Sequence, residues 1–116
     1  KSKNIQFLQM NSLGLANFED SFDLIWIDGA HGYPVVSMDV INSYRLCNQN
    51  GFVLIDDVFI NPEESDQFYK SIGAFQSLSS LKDANLIKDF TLFYKRLGGQ
   101  YNTPWEKKFI GFFRKQ

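Results

Sequence analysis

The chain has 116 residues, 44% of them hydrophobic and 16% aromatic, with a formal net charge of −1 and a pI near 5.7. That length suits one small domain with its own core, and the near-neutral charge argues against a nucleic-acid module that works by phosphate neutralisation. The single cysteine, Cys47, excludes an internal disulfide and a cysteine-based zinc cage; no apolar run approaches the ~20 residues of a membrane span, no signal peptide leads the chain, and a reduced, cytoplasmic compartment is expected.

In chain order, Asn4–Met10 (NIQFLQM) predicts a short strand, and Leu13–Asp20 a loop or one helical turn. Phe22–Ile27 (FDLIWI) is almost continuously apolar, the pattern of a parallel strand covered on both faces. After the break at Gly29-Ala30-His31-Gly32, Pro34 suits a first helical turn. Val35, Val36, Val40, Ile41, Tyr44 and Leu46 then recur at helical spacing through Cys47, which reads as a small buried hydrophobe. Asn48–Gly51 closes that helix, and Gly51–Asp57 (GFVLIDD) is a second apolar strand. Strand, helix, strand makes a βαβ unit with parallel strands.

Asn61-Pro62-Glu63-Glu64 predicts a helix start, with a cap residue, a proline and acids at the positive end. The helix runs to about Lys82 with Phe68, Ile72, Phe75 and Leu78 on one stripe, weakened by Gly73. Leu86–Leu97 and Lys108–Arg114 predict a C-terminal antiparallel hairpin joined by the long Gly98–Glu106 loop. The fold class expected is α/β, in a single domain. Twelve phenylalanines in so short a chain call for heavy burial or an apolar contact surface.

In open α/β sheets ligands bind outside the carboxyl ends of the strands. Asp28 ends one predicted parallel strand, and Asp56 and Asp57 end the next. Three carboxylates on one rim repel one another unless protons or a cation neutralise them, and Mg²⁺ takes oxygen ligands. A strand-end Asp also serves simply to accept backbone N–H groups of the next turn. His31 lies three positions beyond Asp28, and its imidazole is the one side chain here that ordinarily titrates near neutral pH. Asp39 is a candidate to orient it, or a solvated helix acid.

The pattern FDLIWIDGAHGY, followed by NGFVLIDDV, resembles the second half of class I S-adenosylmethionine-dependent methyltransferases. It is most similar to small-molecule O-methyltransferases with an I-D-G-x-H-x-Y signature and an acidic pair downstream. The resemblance covers Asn4 to Phe59 and extends loosely through the C-terminal hairpin. It implies a Rossmann-like methyltransferase sheet, S-adenosylmethionine as methyl donor, Mg²⁺ as a metal and a small-molecule acceptor. By position, Asp28 matches the acid ending the family's fourth strand, a metal ligand beside the donor. Asp56 and Asp57 match the pair that completes the metal site, and His31 stands where related enzymes place the base that deprotonates the acceptor. Asn11 and Ser12 match a polar segment beside the donor's adenine. Tyr101 and Trp105 would help form an acceptor pocket.

One departure stands out. No G-x-G-x-x-G-like segment follows a strand, and the family's first strand, which would lie beside Phe22–Ile27, has no counterpart. The chain is therefore expected to be the C-terminal half of a methyltransferase-like fold. It would be completed by a longer protein, by a second chain or as a homo-oligomer. A non-catalytic half-domain is the rival expectation. A nicotinamide- or nucleotide-binding Rossmann domain is a weaker one, because nothing supplies a pyrophosphate loop.

Overall fold

A computed structural model of the protein describes residues 3–61, 71–95 and 108–116. The βαβ unit is present: β1 (Phe22–Ile27), α1 (Val35–Leu46) and β2 (Cys47–Val58), with β1 and β2 parallel. Then come α2 (Gly73–Asp83) and the hairpin strands β3 (Ile87–Lys95) and β4 (Lys108–Lys115). The four strands order as β1-β2-β4-β3, and β4 is antiparallel to both of its neighbours. Two reversals restore the original direction, so β3 runs parallel to β2. The carboxyl ends of β1, β2 and β3 therefore share one rim with the start of β4.

Apolar period explains which faces are buried. On α1, Val36, Asp39, Val40, Ser43 and Leu46 fall at helical spacing and are all buried. On β2 every second residue, Val53 and Ile55, is fully buried, and Phe113 of β4 and Leu78 of α2 close over them. Gly111 of β4 admits that packing: a Cβ there would lie 3.0 Å from Leu78 Cδ1 and 3.3 Å from Val58 Cγ2.

Several expectations need correction. Asn4–Met10 forms no strand; residues 5–11 are irregular with exposed side chains, because no neighbouring strand among the described residues offers them a ladder. Phe22–Ile27 is not covered on both faces. It is the sheet's edge, and Phe22, Leu24 and Trp26 project into solvent. The helix expected from Pro62 begins, within the described residues, only at Gly73, where a Cβ would stand 3.1 Å from Ser37 Oγ and from Ser71 Oγ. Residues 62–70, with Phe68, lie outside the described residues, as does the Gly98–Glu106 loop with Tyr101 and Trp105. Leu13–Asp20 resolves into a 3-10 helix, Ser12–Asn17, tied to α1 by Arg45 donating to the Leu15 carbonyl. Cys47 is buried as expected but opens β2, and Asn50 takes the left-handed conformation (φ 64°). Gly51 is required for closeness: a Cβ there would lie 2.7 Å from Cys47 Sγ and 2.8 Å from the Asn48 carbonyl.

Candidate active site

Asp28 is the first residue past β1, and His31 sits in the turn that leads into α1. That turn is tied down by the Ser71 hydroxyl, which donates to the His31 carbonyl at 3.3 Å. Asp56 and Asp57 close β2. Neighbouring residues of a regular strand point to opposite faces, so two consecutive acids would ordinarily diverge. Here the ladder with β4 slips between Ile55 and Val58, and Asp57 adopts φ 54°. Such an irregularity re-aims side chains, and a non-glycine residue held in the left-handed region is a strain characteristic of functional sites. Both carboxylates consequently reach one ammonium, Lys95 Nζ, at 2.8 and 3.0 Å from the two Asp56 oxygens and 3.1 Å from Asp57 Oδ1.

The second Asp57 oxygen is left for His31, whose Nε2 lies 2.9 Å from Asp57 Oδ2. Lys108 Nζ stands 3.7 Å from Asp57 Oδ1 and 5.4 Å from the centre of the Phe59 ring. The rim is thus a chain of alternating charge rather than a bare acidic patch. Burial pushes the Asp56 carboxyl up, but the Lys95 hydrogen bond, the Asp57 N–H at 2.9 Å and the nearby positive charge outweigh it. The group titrates below its ordinary value. The Asp56 hydrogen bond in turn raises the Lys95 ammonium above its usual value against the opposing pull of burial, with Asp57 adding to the rise.

Asp28, His31 and Asp57 each offer a donor atom, and the three atoms lie within 4.8 Å of one another. Two carboxylates and an imidazole suit Mn²⁺, Fe²⁺ or Zn²⁺ at least as well as Mg²⁺, which prefers oxygen throughout. Of the three predicted acids, Asp28 and Asp57 fall in this group, and Asp56 shares the Lys95 ammonium with Asp57. His31 joins Asp28 and Asp57, while Asp56 stands beside them, engaged by Lys95.

Asp28 also helps to line a cavity of about 230 Å³ between the 3-10 helix, β1 and α1. Ser12, Leu15, Ile25, Asp39 and Ser43 contribute to its walls. Asn11 is not a wall: its side-chain oxygen accepts from the Leu13 N–H at 3.0 Å and caps the 3-10 helix. Asp39 is buried, not the solvated helix acid that was one expectation.

Lys95 is the site residue that sequence reasoning missed. Its signal lay in the topology: in a hairpin whose second strand pairs with β2, the last residue of the first strand must arrive at the rim that carries Asp56 and Asp57.

The sheet order, the parallel βαβ unit and the acids at its carboxyl rim are those of a Rossmann-like α/β sheet. Residues 2–58 match a family model described as a methyltransferase domain. Among solved structures, the chain is similar to a "putative O-methyltransferase from Klebsiella pneumoniae", with a TM-score of 0.50 and 15% identity over 90% of this chain. At that identity the likeness is one of fold, and this chain spans 44% of the length of that one. No curated protein matches the chain. The likeness to a methyltransferase domain thus covers residues 2–58 of the 116, and the likeness to the solved structure is one of fold.

Proposed function

We propose that the chain contributes the acceptor-side half of a site that transfers a methyl group from S-adenosylmethionine to a hydroxyl oxygen of a small molecule. The observation that carries this reading is the 2.9 Å contact between His31 Nε2 and Asp57 Oδ2, with Asp28 in reach of both. Asp57 fixes the imidazole, whose other nitrogen is then free to take the acceptor's proton. The donor is already activated, so holding the oxygen in line with the methyl group supplies much of the acceleration. Asp28 and Asp57 are the carboxylates that would hold a divalent ion, which lowers the pKa of a bound hydroxyl.

The proximity of His31 to the same two acids favours a second reading, in which the imidazole is the ion's third ligand rather than the base. A Mn²⁺ titration separates the two: His31→Ala keeps wild-type affinity if His31 is the base and loses it if His31 is a ligand.

The donor's side of the site falls to Ser12, Asp28 and the cavity they line, with Asn11 shaping the 3-10 helix beneath it. The edge of β1, unpaired among the described residues, and its exposed Leu24 and Trp26 favour completion of the sheet by further strands, from the rest of a longer protein or from a second chain. Calorimetry with S-adenosylhomocysteine on the protein that carries this chain tests the reading. Saturable binding is expected; no binding identifies a non-catalytic half-domain.

A further inference from the structure

The cavity beside Asp28 has a composition that selects its occupant. Among the described residues that line it there is no lysine, arginine or histidine, but there are two carboxylates, Asp28 and Asp39, and two hydroxyls, Ser12 and Ser43. The remaining walls are apolar, from Leu15 and the end of β1. Asp39 is only 7% exposed, and its Oδ1 is buried without a hydrogen-bond partner among the described residues. Its other oxygen lies under the turn that follows Asp28, 3.5 Å from where a Cβ on Gly29 would stand. A buried carboxylate with an unused acceptor is unfavourable for folding, and buried polar atoms in native proteins are otherwise nearly always paired.

We propose that Asp39 is a ligand-binding residue: its carboxylate, at the wall of this cavity, accepts a hydrogen bond from an N–H-bearing, cationic or amine group of the molecule that enters it. At about 230 Å³ the space takes one ring or one amino-acid-sized fragment, not a whole dinucleotide. This rests on the methyltransferase reading and adds to it a residue outside the strand-end acids. A methyl donor of the S-adenosyl class carries two groups of the right chemistry, an exocyclic ring amine and an ammonium.

The test uses the protein that carries this chain, with S-adenosylhomocysteine, adenosine and L-homocysteine as separate calorimetric probes. Asp39→Asn and Asp39→Leu are expected to weaken S-adenosylhomocysteine binding by about tenfold or more, as loss of a charged hydrogen bond does. The ligand-free melting temperature should hold or rise, because the unpaired buried carboxyl oxygen is gone. The fragment whose affinity falls with the variants identifies the group that Asp39 meets: adenosine for the ring amine, L-homocysteine for the ammonium. Unchanged S-adenosylhomocysteine affinity in both variants overturns the inference alone. A lowered ligand-free melting temperature in both also overturns it, since Asp39 then has a structural partner. If the wild-type protein binds none of the probes, the methyltransferase reading fails and the inference falls with it.

Discussion

The two flanks of β2 are built from similar residues and have opposite fates. Toward β4, Val53, Ile55, Val58 and Phe113 lie fully buried under Leu78. In β1, Leu24 is 61% exposed and Trp26 49%. Hydrophobicity is alike on both flanks; the partners differ. Among the described residues, β2 and β4 are the inner strands and α2 packs over them, whereas β1, like β3, is an edge strand. Burial is thus a property of what covers a residue, which a run of apolar letters does not specify. The candidate site lies where the flanks meet: Asp57 and Lys95 belong to the packed side, and Asp28 and the Asp39 cavity to the open one.

The comparison breaks first, if it breaks, on the core. Phe113→Ala should cost about 3–5 kcal/mol in urea unfolding, whereas Leu24→Ala should stay within about 0.5 kcal/mol. Equal losses would mean that β1 is covered in solution. Next in size is Gly51→Ala, which forces a methyl group against Cys47 Sγ and the Asn48 carbonyl. Overpacking of that kind costs about 1–3 kcal/mol, readable as a lower thermal midpoint.

Lys95→Met should cost about 1–3 kcal/mol at pH 7, because it leaves Asp56 and one oxygen of Asp57 with less compensation. The pH dependence sharpens that prediction. The folded-state pKa of Asp56 is depressed, so its contribution is present above the unfolded value near 3.8 and is lost as pH falls through the lower folded value. The Lys95 pKa is raised, so its share is present below about 10.5 and is lost as pH climbs through the higher folded value. Wild type and Lys95→Met should therefore converge in stability at strongly acidic pH; a gap that persists there would assign the loss to packing instead. The smallest effect belongs to Arg114→Ala read through its ion pair, since Arg114 Nε is 3.8 Å from an exposed Asp89. Such pairs contribute within about 0.5 kcal/mol, although the Arg114 guanidinium over the Phe52 ring at 4.2 Å adds a packing share. A double-mutant cycle with Asp89→Ala isolates the ionic part.

Much of the packed flank was legible in the letters. The helical spacing of Val36, Val40 and Leu46, the β2 run and the alternating hairpin segments each state their own period, and local period is what a single sequence carries. Asn4–Met10 misled because a strand is defined by its neighbour, and no described segment pairs with it. The acids at the strand ends were legible as a rim because strand direction follows from the βαβ order. Their grouping was not: the register slip before Val58 and the φ of Asp57 decide which carboxylate faces which partner, and neither leaves a mark in the sequence. Lys95 and the burial of Asp39 follow from tertiary placement in the same way.

The central claim is that Asp57, with Asp28 and His31 in reach, is the working carboxylate of the rim, while Asp56 is engaged by Lys95. Mn²⁺ titration followed by electron paramagnetic resonance tests it directly on wild type, Asp57→Ala and Asp56→Ala. The account predicts a loss of affinity of at least about tenfold for Asp57→Ala, as expected for a group at the ion, and a clearly smaller one for Asp56→Ala. Equal losses, or a larger loss at position 56, would contradict it.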